Sequence, residues 1–263
     1  MQSALYVSLS AQVSIEKRLE TIANNMANMK TAGFRADAVK FEAALSRAAS
    51  QPVAFSSAGD NFITRKPGSV TQTGNTLDVA IIGNTTGNSL TLGGTAATGG
   101  TWMAFSGPAG TVYTRDGRMQ ISSTGELQTV NGFPILDAGG SPILVDPDAG
   151  PLTIGRNGTI AQGASQVGVL GLFNIPADAK LERFANSGVI PDRAATTVID
   201  FAYAGFQQGY AEGSNVDPLQ EMTQLMTATR AFQSVSAVIE GSEGTMQNAI
   251  RSLGEVIVTG NRA

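Results

Sequence analysis

The feature that most restricts the fold of this chain is a single apolar stripe that runs for about forty residues at its C-terminal end. Asp217, Pro218 and Gln220 are typical of a helix start, as an N-cap, a first-turn proline and a residue that can complete the cap. The stripe advances in steps of three and four, with polar interruptions at Thr229, Ser236 and Glu243. Its members are Met222, Leu225, Thr229, Phe232, Ser236, Ile239, Glu243, Met246, Ile250, Leu253 and Ile257. A helix of this length with one apolar stripe requires a partner to cover it.

The only comparable stripe in the chain lies at the other end. Residues 4–29 are predicted to form a helix, and Gly33 is expected to end the pattern because glycine accepts a positive φ. The apolar positions of this helix are Ala11, Ile15, Leu19, Ile22, Met26 and Met29. The two termini are therefore expected to meet as a coiled-coil-like pair, with further faces left for neighbouring molecules.

The middle of the chain has the pattern of an antiparallel β domain. Asp116-Gly117, Asn131-Gly132 and Asn157-Gly158 each lie between short runs of strand-forming residues and predict hairpin turns. Residues 167–173 are expected to form a buried strand. The glycine- and threonine-rich stretch 83–101 is interpreted as a surface excursion that contains one weak hairpin.

These patterns predict an α+β protein with a β-rich central domain and a stalk made of the N- and C-terminal helices. We expect an N-terminal helix within residues 1–35, an extended linker at 36–73, the central domain at 74–205 and a C-terminal helical segment at 206–263.

Composition excludes most catalytic chemistry. Because the sequence contains no His and no Cys, it lacks the commonest general base, the commonest zinc ligand, thiolate metal sites and disulfides. Residues 163–167 fall short of a nucleophile elbow, residues 146–150 fall short of a calcium loop, and no phosphate-binding glycine motif is present. We expect no enzymatic activity, no cofactor and no metal.

The charge distribution also limits the partners. A net charge of −4 without a Lys/Arg cluster argues against nucleic acid as a partner. The sequence has neither an apolar run of membrane-spanning length nor an N-terminal signal-peptide pattern. Membrane insertion and a cleaved signal peptide are therefore not expected.

Two motifs at opposite ends of the chain resemble the signatures of the bacterial flagellar axial proteins, which are the rod, hook and hook-associated subunits. The first is residues 22–35, IANNMANMKTAGFR, and the second is residues 212–217, EGSNVD, followed by Glu221-Met222, Met226 and Arg230-Ala231-Phe232. Residues 111–117 and 125–127 resemble the β domain of the rod proteins. The N-terminal residues 1–7, together with 16–19 and 40–41, resemble the proximal-rod subunits of similar length more than the distal-rod subunits.

The resemblance implies a structural subunit of the flagellar basal-body rod that transmits torque for motility. The implied partners are other proximal and distal rod subunits, copies of the chain itself and the flagellar type III export apparatus, and the implied location is the periplasmic rod. A distal-rod or hook-type axial subunit is the main alternative, and a secreted β-rich binding module is the second.

The stripes and the two signatures together supply the residues that we expect at the assembly interface. They are Ile15, Leu19, Ile22, Asn24, Asn25, Met26, Asn28, Gly33, Phe34, Asn215, Val216, Met222, Leu225, Met226, Arg230, Phe232, Ile239, Met246 and Ile250.

Overall fold

The computed structural model describes residues 2–46, 53–83, 90–92, 95–97, 100–201 and 204–260. Helix α1 spans Gln2–Ala27 and helix α2 spans Pro218–Gly260, close to the bounds that the stripes predict. Nineteen strands lie between them in the described part of the chain, so the protein is α+β and mostly antiparallel. Helix α2 continues through Gly241 and Gly244, although each glycine costs a helix about 1 kcal/mol relative to alanine.

The strands before the central sheet are long at first and then short. They are β1 Asp37–Ser46, β2 Val53–Ile63, β3 Val70–Gln72, β4 Val79–Gly83, β5 Leu90–Leu92 and β6 Thr95–Ala97. Strands β1 and β2 pair with each other, and so do β5 and β6. Residues 36–73, expected as an extended linker, therefore contain strands, and the weak hairpin predicted within 83–101 is confirmed.

The remaining strands build the central β structure. They are β7 Thr101–Gly107, β8 Gly110–Thr114, β9 Met119–Ile121, β10 Leu127–Thr129, β11 Leu152–Ile154, β12 Thr159–Gln162, β13 Ser165–Val169, β14 Phe173–Asn174, β15 Leu181–Phe184, β16 Gly188–Pro191, β17 Thr196–Thr197, β18 Ala204–Gln208 and β19 Tyr210–Glu212. A six-stranded sheet has the order β15-β16-β8-β7-β14-β17, and a three-stranded sheet has the order β11-β12-β13. Strand β18 pairs with β4, and β19 pairs with β3.

Two of the three predicted hairpin turns are confirmed. At Asn131-Gly132 the amide of Thr129 donates to the carbonyl of Phe133 at 2.8 Å, and Gly132 has a φ of +83°. Around Asn157-Gly158, β11 pairs with β12, and the amide of Gly155 donates to the carbonyl of Thr159 at 2.8 Å. Both glycines occupy the left-handed region that such turns require.

The hairpin predicted at Asp116-Gly117 is wrong. Strand β8 pairs with β7 and β16, whereas β9 pairs with β10, so the chain crosses from one sheet to another at this point. Gly117 does not have the positive φ of a hairpin glycine. Its role is close packing instead, because a Cβ at this position would lie 1.7 Å from the carbonyl oxygen of Val79.

The strand predicted at 167–173 is interrupted. Strand β13 ends at Val169 and is half exposed, and strand β14 starts only at Phe173. Leu170 and Leu172, between the two strands, have fully buried side chains. The apolar run therefore marks a buried segment that is not one continuous strand.

The chain divides into two compact units. The first comprises the described parts of Met1–Met26, Asp37–Asn61 and Pro218–Ala263, which include almost all of α1, most of the β1-β2 pair and α2. The second comprises Ala27–Ala36 and the described parts of Phe62–Asp217. The core of the second unit is a cluster of buried aliphatic, methionine and aromatic side chains from the short strands and their connections. It contains Val79, Ile81, Met103, Met119, Leu127, Ile135, Ile143, Val145, Leu152, Ile154, Ile160, Leu170, Leu172, Val198, Ala204 and Phe206.

Candidate functional site

Two segments that are far apart in the sequence lie side by side in the second unit. The amide of Gly33 donates to the carbonyl of Glu212 at 2.8 Å, and the amide of Asn215 donates to the carbonyl of Phe34 at 3.3 Å. We call residues 33–36 and 212–216, with the side chains that contact them, the junction. It joins the stretch that follows α1 to the stretch that precedes α2.

The side chain of Asn215 supplies hydrogen bonds in the junction that strand pairing would otherwise supply. Its Oδ1 accepts from the amide of Ala36 at 2.7 Å, while its Nδ2 donates to the hydroxyl of Thr64 at 2.8 Å and to the carbonyl of Lys66 at 2.9 Å. A carboxamide carries one acceptor oxygen and an NH2 group with two donors at a similar distance from the backbone, which explains why asparagine suits this position.

A buried carboxylate between two arginines forms the centre of the junction. Glu212 Oε1 lies 2.5 Å from Arg35 Nη2, and Glu212 Oε2 lies 3.0 Å from Arg115 Nη1. The side chains of Arg35 and Glu212 are each only 1% exposed. Glu212 Oε1 also accepts from the amide of Gly68 at 2.9 Å, and Arg35 Nη1 donates to the carbonyl of Lys66 at 2.8 Å.

The arginines of the junction contact the only tryptophan of the chain. The guanidinium carbons of Arg35 and Arg115 each lie 5.8 Å from the centre of the Trp102 ring, within the range of a cation–π interaction. Trp102 is 1% exposed. Its ring therefore offers polarisable surface to two cations that have been removed from water.

Burial lowers the pKa of Arg115 from its ordinary value to about 10. The attraction of Glu212 opposes this shift, and the charge of Arg35 adds to it. Burial also lowers the pKa of Arg35, again opposed by Glu212. Arg115 nevertheless remains protonated at neutral pH, since its pKa is well above 7. The two arginines and Glu212 therefore form a structural ion-pair cluster, called the ionic lock below, and do not act as an acid–base pair.

Phe34 and Gly33 occupy the interior of the second unit. The guanidinium carbon of Arg183 lies 4.4 Å from the centre of the Phe34 ring, and Arg183 Nη2 donates to the carbonyl of Arg35 at 2.6 Å. Gly33 has a φ of +67°, as expected for a residue that ends a helical pattern, but it lies six residues beyond the end of α1. A Cβ on Gly33 would lie 2.2 Å from the amide nitrogen of Asp116.

In the first unit, Asn25 connects α1 to the start of β1 and to the start of α2. Its Oδ1 accepts from the amide of Asp37, and its Nδ2 donates to the carbonyl of Asp37, each at 2.9 Å. The same Nδ2 lies 3.2 Å from Glu221 Oε1. Asn24 Nδ2 donates to the carboxylate of Asp37 at 2.9 Å. The asparagine-rich turn is thus engaged in contacts within the chain.

Buried and half-buried residues recur with the same spacing on both helices. The count starts at Asn25 and runs toward the N-terminus on α1, and it starts at Glu221 and runs toward the C-terminus on α2. On α1 the residues at steps of four and three are buried or half-buried, and so are the residues at the same steps on α2. The α1 set is Thr21, Arg18, Ser14, Ala11 and Val7, and the α2 set is Leu225, Ala228, Phe232, Val235 and Ile239.

Each helix also carries exposed apolar side chains. Tyr6, Leu9 and Val13 follow one another at steps of three and four on α1. On α2, Leu219, Met222 and Met226 have the same steps. These two triplets are called the outer stripes below. Neighbouring apolar side chains that are exposed to solvent are typical of surfaces that associate with a partner.

The predicted interface residues range from exposed to fully buried in the structure. Those with exposed side chains are Asn24, Met222, Met226, Arg230 and Met246. Those half-buried are Ile15, Leu19, Met26, Asn28, Asn215, Leu225, Phe232 and Ile239. Those buried are Ile22, Asn25, Gly33, Phe34 and Val216, and the side chain of Ile250 lies outside the described ones. The buried members already have partners within the chain.

Sequence reasoning missed the ionic centre of the junction. Arg35, Arg115 and Glu212 all lie within the quoted motifs, but nothing in their spacing indicated that they meet. Their signal is the occurrence of charged residues inside conspicuous motifs of a chain with only 14% charged residues. In the described part of the chain, no group of three or more acidic side chains is arranged to hold a metal ion, and neither helix is apolar enough over a sufficient length to cross a membrane.

Comparison with known families gives matches in three stretches. Residues 5–35 match the flagella basal body rod protein family, residues 96–162 the flagellar hook protein FlgE/F/G D1 domain, and residues 207–252 the flagellar basal body rod FlgEFG protein C-terminal region. These three matches in this order define a structural protein of the flagellar axis.

Individual relatives extend the similarity over almost the whole chain. The flagellar basal-body rod protein FlgF of Mesorhizobium japonicum is 41% identical over 97% of this chain and 99% of its own length. FlgF of Caulobacter vibrioides is 34% identical over 97% of this chain and 100% of its own, and FlgG of Bacillus subtilis is 29% identical over 95% and 98%. The chain belongs to the flagellar basal-body rod protein family and is a structural, non-enzymatic subunit of the rod.

Glu212→Gln is expected to destabilise the second unit by about 3–5 kcal/mol, because it leaves two buried arginines without their counter-charge. For a unit of this size the loss corresponds to a fall of about 6–20 °C in Tm. Differential scanning calorimetry measures it. The matched control is Glu182→Gln, which changes an exposed carboxylate on β15, and a comparable fall in Tm for both variants contradicts the lock.

Gly33→Ala is expected to cost about 1–3 kcal/mol more than Gly74→Ala in urea unfolding. Both glycines have a positive φ, at +67° and +74°, so the backbone strain of an alanine is similar. A Cβ on Gly74 has nothing within 4 Å, whereas a Cβ on Gly33 meets the backbone of Asp116. Equal free energies of unfolding for the two variants would show that the close approach at Gly33 is unimportant.

Proposed function

We propose that this chain is a proximal-rod subunit that assembles with copies of itself and with related rod subunits into a helical tube, through the outer faces of its terminal helices, and so transmits torque. The observation that carries the proposal is the pair of outer stripes on a subunit of the rod family. A heterologous contact that repeats without closing produces a helical tube instead of a ring.

The proximal position is supported by the relatives. The two relatives named FlgF described above are 41% and 34% identical to this chain, whereas the relative named FlgG is 29% identical. The N-terminal likeness to proximal-rod subunits agrees with this order.

We infer that α1 and α2 of one chain pair antiparallel as a coiled-coil-like stalk. The hydrogen bond between Asn25 and Glu221 supports the register, because covered residues follow it at the same steps of four and three on both helices. In this register Ser14 faces Phe232, and Ala228 faces Arg18. Small side chains thus oppose large ones, as knobs-into-holes packing requires.

Assembly also explains why the outer stripes can remain apolar. Each leaves three large side chains in water on the isolated subunit, and their burial by a neighbour returns about 25 cal/mol per Å² of apolar surface. Ordering of the terminal helices on joining the rod opposes this gain. We propose that the subunit reaches the periplasmic rod through the flagellar type III export apparatus without a cleaved signal peptide, and the absence of cysteine fits such passage.

Cysteine substitution tests the stalk directly, because the natural chain has no cysteine. Ala11→Cys combined with Val235→Cys is expected to form an intramolecular disulfide under mild oxidation, since facing Cβ atoms of such a pair approach bonding distance. A mobility shift on a non-reducing gel measures it. The control pair, Leu9→Cys with Val235→Cys, uses an exposed position and is expected to stay reduced. Equal cross-linking of both pairs contradicts the register.

Val13→Asp is expected to leave the subunit folded but to prevent its incorporation into basal bodies and abolish swimming, because it places a charge in an outer stripe. Val13 is 55% exposed, so no core packing is lost. Basal bodies isolated from a strain that carries only the variant are probed with an antibody, and circular dichroism confirms folding.

Leu144→Asp is the matched control for Val13→Asp, since Leu144 is 61% exposed in the second unit and lies in neither helix. It is expected to support rod assembly and motility. Normal motility of the Val13→Asp strain refutes assembly through the outer stripes, and the position of the protein along the basal body separates a proximal from a distal role.

A further inference from the structure

We propose that the second unit binds a small monovalent anion, of the size of chloride or bromide, beside Gly100, between the side chains of Trp102 and Arg115. The proposal does not depend on the mode of rod assembly, because all three residues lie within one unit. It rests on the charge of the junction, on its unpaired donors and on the space beside Gly100.

The buried ionic centre of the junction, formed by Arg35, Arg115 and Glu212, carries one more positive than negative charge. Arg35 and Arg115 share the single carboxylate of Glu212, and all three are buried. A buried charge without compensation is costly in a low-dielectric interior. Burial is the main cause of the lowered pKa of Arg115, and the charge of Arg35 lowers it further. One monovalent anion restores neutrality, whereas a divalent one would exceed it.

Several N–H groups of the same cluster have no acceptor among the described residues. They are Trp102 Nε1, Arg115 Nε and Arg35 Nε, each buried from solvent. Buried donors in proteins are almost always paired with an acceptor, a water molecule or an ion. Because all these atoms are donors, the missing partner must be an acceptor, and an anion is the strongest acceptor for guanidinium and indole groups.

Gly100 provides space next to the unpaired indole N–H of Trp102 and to Nη2 of the Arg115 guanidinium. It has a φ of +79°, and the position that a Cβ would occupy lies 3.8 Å from Trp102 Nε1 and 3.8 Å from Arg115 Nη2. No other atom of the described chain, apart from the glycine and its two neighbours, lies within 4 Å of that position. Among the described residues other than its chain neighbours, this position is thus flanked by two nitrogens and by no acceptor.

The full-length protein reports on this site without a label, because Trp102 is the only tryptophan. Bromide is titrated against gluconate at constant ionic strength while tryptophan emission is recorded. Collisional quenching should be weak, since Trp102 is 1% exposed. Binding at the site predicts saturable quenching and a Tm that rises with chloride or bromide but not with gluconate.

Gly100→Ala places a methyl group 3.8 Å from both flanking nitrogens, where it obstructs an anion that contacts them, and is expected to abolish both the saturable quenching and the halide dependence of Tm. Gly74→Ala is the matched control, because Gly74 has a φ of +74° and open space around its Cβ position. It should retain both effects. Arg115→Lys, which removes Nε–H and keeps the charge, is expected to weaken halide binding at least tenfold.

The proposal would be overturned if the tryptophan emission and the Tm of the natural protein depended on ionic strength alone. The unpaired donors would then be assigned to ordered water. Linear, non-saturable quenching, or saturation that Gly100→Ala leaves unchanged, would also overturn it. If Gly100→Ala does not fold, the titration of the natural protein and the Arg115→Lys comparison still decide. None of these results bears on the outer stripes, so the failure of one proposal leaves the other intact.

Discussion

The ion pair between Glu212 and Arg35 is the interaction on which the arrangement of the second unit depends. It joins a residue that follows α1 to a residue that precedes α2, and it is buried to 1% exposure on both sides. Such a pair contributes little net stability against well-packed apolar residues, yet a wrongly placed partner is heavily penalised. Its value is therefore specificity, because Arg35, Arg115 and Glu212 satisfy one another only when both segments are in register.

The terminal helices and most of the turns could be predicted from the sequence because their determinants are local. Asp217-Pro218 and the periodic stripe define α2 within a few residues, and Asn131-Gly132 and Asn157-Gly158 specify turns through φ > 0. Asp116-Gly117 has the same local pattern and fails, since Gly117 is needed for contact with Val79, a residue distant in sequence. Close packing of this kind leaves no periodic signal.

The junction illustrates the same limit for function. Residues 22–35 and 212–217 were recognisable as signatures, and Gly33, Phe34, Asn215 and Val216 were expected at the assembly interface. In the structure, Gly33, Phe34 and Val216 are buried against the chain itself, and Asn215 is half-buried. The outer stripes are better suited to contact a neighbour, and only Met222 and Met226 among their members belonged to the expected interface. Burial depends on tertiary contacts that periodicity alone does not contain.

The hydrogen bond from Gly33 to Glu212 spans almost the whole length of the second unit in sequence. Closure of so large a loop costs chain entropy before any favourable contact forms, and topologies rich in such long-range pairs fold slowly. Until residue 212 is present and correctly placed, the amide of Gly33 lacks its carbonyl acceptor and Arg35 lacks its carboxylate partner. The contacts that complete the second unit can therefore form only when nearly all of its sequence is available.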